Sequence, residues 1–150
     1  MVLASSYCTN ESDITTDRPM CKTVDLMEAN PFGFHAQANP CSNGTCDALS
    51  QCQYEMKTQG VATYGEGAYG PGGSLIDTNS AFTVRTELIS KNDYVDLWKI
   101  RSRLTQGANE MVMESDCTDY ITTMSDIIDG SMSLILSTWD GRGKAEMLDF

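Results

Sequence analysis

The chain has 150 residues and a mass of 16.4 kDa, the length of one domain. A hydrophobic fraction of 41% and a charged fraction of 21% are those of a globular protein and exclude disorder along the whole chain. Ten basic against twenty-one acidic residues give a net charge of −11, a field that repels phosphate backbones and anionic lipid, so nucleic acid and membrane surfaces are not expected partners.

The opening Met1-Val2-Leu3-Ala4 is too short for the apolar region of a signal peptide. The expectation is a signal already removed, or a chain that begins inside a longer product. No apolar run reaches the roughly 18 residues a membrane span needs. Six cysteines follow: Cys8, Cys21, Cys41, Cys46, Cys52 and Cys117. An even number fits a disulfide framework in a secreted protein. A zinc site would show tight Cys-x-x-Cys pairs or histidine partners, whereas 12, 19, 4, 5 and 64 residues separate the cysteines and His35, read as a loop residue, is the sole histidine. No metal and no cofactor are therefore expected. The sequons Asn10-Glu11-Ser12 and Asn43-Gly44-Thr45 agree with a secretory route and mark Asn10 and Asn43 as glycosylation candidates.

Residues 59–73 are glycine-rich with Pro71 and read as loop. From Ala81 to Ile89, Phe82, Val84, Thr86 and Leu88 point one way and Thr83, Arg85 and Glu87 the other, the pattern of a half-buried strand. Tyr94 to Leu104 repeats it, with Trp98, Ile100 and Leu104 as the core side and Lys99, Arg101 and Arg103 outside. Lys91-Asn92-Asp93 joins the two as a hairpin connection. Between residues 118 and 129, Tyr120, Ile121, Met124, Ile127 and Ile128 recur at helical spacing before Gly130, which predicts one short helix. Ser131 to Trp139 is a third strand, and its run Met132-Ser133-Leu134-Ile135-Leu136 predicts a central position buried on both faces. Several strands and one helix predict a mainly β sandwich.

The run Cys21-Lys22-Thr23-Val24-Asp25-Leu26-Met27-Glu28-Ala29-Asn30 resembles the active-site strand of glycoside hydrolase family 7, the cellobiohydrolases and endoglucanases that cut β-1,4-glucan. Looser matches follow in the family's order. They are Asn39-Pro40-Cys41, Gly44-Thr45-Cys46-Asp47, Tyr69-Gly70-Pro71-Gly72 with Ile76-Asp77-Thr78 and Phe82-Thr83-Val84, and Met132-Ser133-Leu134 through Ser137-Thr138-Trp139-Asp140 to Met147-Leu148. The likeness covers residues 20–150 as a single domain and leaves 1–19 as an N-terminal segment without a clear match.

The resemblance implies a jelly-roll, concanavalin-like β-sandwich, present only in part, since the matches fall in the second part of the family's catalytic domain. It implies Glu28 as acid/base and Asp25 as the supporting carboxylate. The family's nucleophile position holds Thr23, whose hydroxyl is not ionised at neutral pH. Retaining glycosidases need two carboxyl groups about 5–5.5 Å apart, so hydrolysis is expected to be weak or lost. Alternation puts Thr23 and Asp25 on one face, which Glu28 joins only through a bulge. Trp139, Asp140, Asn39 and Tyr69 are the implied glycan contacts. The implied disulfides are Cys8–Cys21, Cys41–Cys46 and Cys52–Cys117. Three functions follow: a secreted protein contacting β-1,4-glucan, a structural or assembly glycoprotein that self-associates through open strand edges, or an active retaining glucanase. The edges are the concern of the second, because a partial sandwich leaves them uncovered.

Overall fold

The computed structural model describes residues 1–4, 22–39, 41–42, 45–46, 53–90, 97–115 and 132–136. The strongest alternation in the sequence gives an antiparallel meander of β9 (Thr83–Ser90), β10 (Leu97–Gln106) and β11 (Asn109–Glu114), with β10 in the middle. Two residues join β10 to β11, and Gly107 takes φ +61° there, a backbone conformation that a tight hairpin turn requires. Ile100, Ser102 and Leu104 of β10 face inward with Met111 and Met113 of β11. The outward face is ionic. Arg101 sits opposite Glu114 and Glu87, and its guanidinium lies 2.8 Å from Glu114 Oε2 and 3.4 Å from Glu87 Oε2. Lys99 Nζ adds a 2.7 Å contact to Glu114 Oε1, and Arg103 pairs with Glu110.

A second sheet runs in the order β12 (Ser133–Ile135), β1 (Val2–Ala4), β2 (Thr23–Ala29), β3 (Phe34–Asn39), β6 (Gln53–Glu55), with every neighbour antiparallel. Val24, Leu26, Phe34, Ala36, Ala38 and Tyr54 give it an apolar face, which packs on the inward face of the meander as one core. Across that core the Tyr54 hydroxyl meets Ser102 Oγ at 3.0 Å, and burial pushes the Tyr54 phenol up to about 12. Two small pairs complete the described strands: β4 (Cys41–Ser42) antiparallel to β5 (Thr45–Cys46), and β7 (Tyr69–Gly70) parallel to β8 (Ile76–Asp77).

Several sequence expectations change here. The stretch 59–73 is not all loop. A π-helical turn, Met56–Gly60, runs into α1 (Val61–Tyr64). Gly60, a breaker by composition, sits within this helical stretch, where a Cβ would lie 2.2 Å from the Met56 sulfur and the methionine side chain would have to move. The run from Ser131 is not a central strand among the described residues. Only Ser133–Ile135 is strand, its described strand neighbour is β1, and Leu134 and Leu136 are 56% and 73% exposed. A short apolar run does not by itself distinguish a central strand from an outer one. Trp98 is half-buried and lies outside the core cluster. The β9–β10 register shifts between Leu97 and Lys99, so Trp98 is the extra residue of a bulge and leaves the alternation; Lys99 Nζ lies 4.9 Å over its ring. Leu88 lies opposite the inward-facing Ile100, as the alternation gave, but is exposed. The 118–129 helix and the 91–93 connection lie outside the described residues.

Candidate functional site

The face of the five-stranded sheet opposite the core is polar, and its register can be read residue by residue. Thr23 pairs with Asn39 and Asp25 with Gln37, which alternation alone would give. The register then shifts, and the next pair is Glu28 with His35. One extra residue in β2 turns Glu28 onto the face that already carries Asp25. On the far side of β3, Glu55 lies opposite His35 and Gln53 opposite Gln37. Thr23, Asp25, Glu28, His35, Gln37 and Glu55 therefore share one surface of three adjacent strands.

Their environments differ. Asp25 is 3% exposed, and its Oδ2 accepts a hydrogen bond from Gln37 Nε2 at 3.0 Å. Thr23 and His35 are buried as well. Glu28 keeps 21% of its side-chain surface open, with its Oε2 3.3 Å from His35 Nδ1. Glu28 is thus the member of the Thr23–Asp25–Glu28 row that can meet a ligand directly. Asp25 is enclosed within the wall and bonded to Gln37. The arrangement can hydrogen-bond a hydroxyl-rich ligand and offer it one carboxyl group. It offers no carboxylate at position 23. Among the described residues, no group of three or more His, Cys, Asp and Glu side chains is placed to hold a metal ion.

No family model and no curated protein matches the sequence. Eleven solved chains match by structure. One is the native structure of the Humicola insolens endocellulase EGI, with a TM-score of 0.71 and 17% identity over 97% of this chain and 53% of that one. The fold is a partial, family-7-like jelly roll. The chain spans about half the length of that cellulase.

Of the residues singled out in the sequence, Thr23, Asp25 and Glu28 come together, and Asn39 stands opposite Thr23 by register. Tyr69 does not join them. It is buried, its ring packs edge-on to Phe82 at 6.0 Å, and its hydroxyl donates to the Asn30 carbonyl at 3.1 Å. Its face is spent on the core, so it offers no platform to a sugar. Burial also raises its phenol to about 12. His35, expected in a loop, is a strand residue beside the acid/base candidate. The signal for it was the alternation Phe34-x-Ala36-x-Ala38, which makes positions 35 and 37 the opposite face. Glu55 gave no such signal, because Gln53–Glu55 is too short to show a period. Trp139, Asp140, Asn10, Asn43, Cys8, Cys21, Cys52 and Cys117 lie outside the described residues.

Proposed function

We propose that the chain is a secreted, family-7-like protein that contacts β-1,4-glucan or a related neutral glycan and hydrolyses it weakly or not at all. One observation carries this reading: the polar face presents Glu28 beside a buried Asp25, with threonine where the resemblance places the nucleophile. A retaining double displacement has no attacking carboxylate there. The fold likeness to a cellulase supports a glycan as ligand. Asn10 and Asn43 as glycosylation sites and the three disulfides belong to the same secreted reading. The described residues contain no helix long and apolar enough to cross a membrane.

A second reading is favoured by one feature. Leu134 and Leu136 expose apolar surface at β12, which suits a structural protein that completes its sheet with another copy. Incubation with cello-oligosaccharides, followed by mass spectrometry beside a Glu28→Gln control, tests the first reading. Binding without new products is expected. Cleavage that disappears in the control overturns the loss of hydrolysis and establishes an active glucanase. Self-association without glycan binding favours the second reading.

A further inference from the structure

The hairpin that carries Glu28 and His35 ends in a turn, residues 30–33, whose tip is Phe32. Phe32 is 60% exposed. A single exposed apolar residue is ordinary on a protein surface. The turn beneath this one is not. Asn30 N–H donates to the Gly33 carbonyl at 3.0 Å. Asn30 Oδ1 accepts from the amides of Phe32 and Gly33 at 2.8 and 2.7 Å. Neighbouring segments close it from outside. The Tyr69 hydroxyl donates to Asn30 O, and Thr78 Oγ1 donates to Pro31 O at 2.8 Å. The backbone under Phe32 is thus held from its own side chains and from residues 69–78 together, so the ring stands on a rigid mount rather than a loose loop.

We infer that Phe32 is a stacking platform for a pyranose ring, an outer subsite for the glycan whose chain crosses Glu28. Three arguments support this, and all rest on the glycan reading above. An aromatic face suits a β-linked glucose or xylose ring, because the axial C–H groups make both ring faces apolar, and the ring quadrupole attracts those C–H groups. Preorganisation removes the ordering cost that usually erodes the gain from one aromatic contact. The tip lies about three residue rises beyond Glu28, roughly 10 Å along the hairpin, past the end of a trisaccharide centred on Glu28 and within reach of a hexasaccharide. The net charge of −11 further selects a neutral sugar over an acidic one.

The test compares wild type, Phe32→Ala and Phe32→Trp by calorimetric titration with cellotriose and cellohexaose, with thermal unfolding as a check on the fold. Phe32→Ala is expected to weaken cellohexaose about five- to tenfold, the size of one aromatic contact, and to change cellotriose much less. Phe32→Trp should restore or improve the hexaose affinity and show a fluorescence change on binding. Hexaose binding by wild type that Phe32→Ala leaves unchanged overturns the subsite and leaves the glycan reading intact. An equal loss for triose and hexaose also overturns it, because the ring would then act on the whole site. No binding by wild type overturns both. A change in self-association on Phe32→Ala without a change in glycan affinity assigns the ring to a second copy instead.

Discussion

Substituting Tyr69→Phe isolates one hydroxyl. The ring stays, with its edge-on contact to Phe82, and so does the buried apolar area. The hydrogen bond to Asn30 O is lost. Gly33 O, the hydroxyl's second and longer contact at 3.5 Å, keeps its bond from Asn30 N–H. One good bond is therefore removed and one part-buried carbonyl loses a partner, which costs about 1–2 kcal/mol. For a domain of this length that lowers the unfolding midpoint by about 2–8 °C. The pH dependence separates this bond from a packing effect. The phenol titrates near 10 when unfolded and near 12 when folded. A folded pKa above the unfolded one gives stability that is complete below pH 10 and is lost as the pH rises through 12. Tyr69→Phe should therefore flatten the alkaline limb of wild-type stability; Tyr54 leaves a second such limb in place. Calorimetry between pH 7 and 11 reads both effects. A midpoint within one degree of wild type, or an unchanged alkaline limb, would refute the reasoning.

Two further outcomes are expected. Hydrogen bonds from Lys99 and Arg101 hold the Glu114 carboxyl below its usual range. A depressed pKa means that stability is present above the unfolded value and lost as pH falls through the folded one, so Glu114→Gln should cost about 0.5–1 kcal/mol at pH 7, less in high salt, and less at pH 3 than at pH 7. Equal losses at both pH values in denaturant titrations would contradict this. Cys41 and Cys46 stand opposite each other across β4 and β5, a pairing that places Cα atoms about 4.5–5.5 Å apart, within disulfide range. Non-reducing peptide mapping should recover them linked, and free thiols at both positions would overturn the pairing.

The first two strands of the meander were legible because charge and apolarity alternate in them at period two, and cross-strand ion pairs agree with the register; the third, Asn109–Glu114, was not read from the sequence. The motif around Asp25 and Glu28 was legible as well, together with the need for a bulge between them. What the sequence hid is set by distant partners. Val2–Ala4 and Gln53–Glu55 are strands because β2, β3 and β12 pair with them, and three residues carry no period of their own. His35 and Glu55 reached the site through that pairing. Tyr69 misled because its role came from the resemblance alone, whereas its ring is buried against Phe82 and its hydroxyl is bonded to Asn30 O.

The two sheets differ in how far along the chain their partners lie. The meander pairs strands joined by short connections, whereas the sheet that bears Glu28 is closed on one side by residues 2–4 against residues 133–135. Closing a loop of roughly 130 residues costs about 2.5 kcal/mol more in chain entropy than closing a hairpin of under ten. Low contact order favours the meander as the early-forming unit, and the β1–β2–β12 seam comes late. The same seam is therefore expected to open first in sub-global unfolding. Amides of β2 should therefore exchange with solvent sooner than those of β10, and anything that loosens this seam should disorder the polar face while most of the protein remains folded.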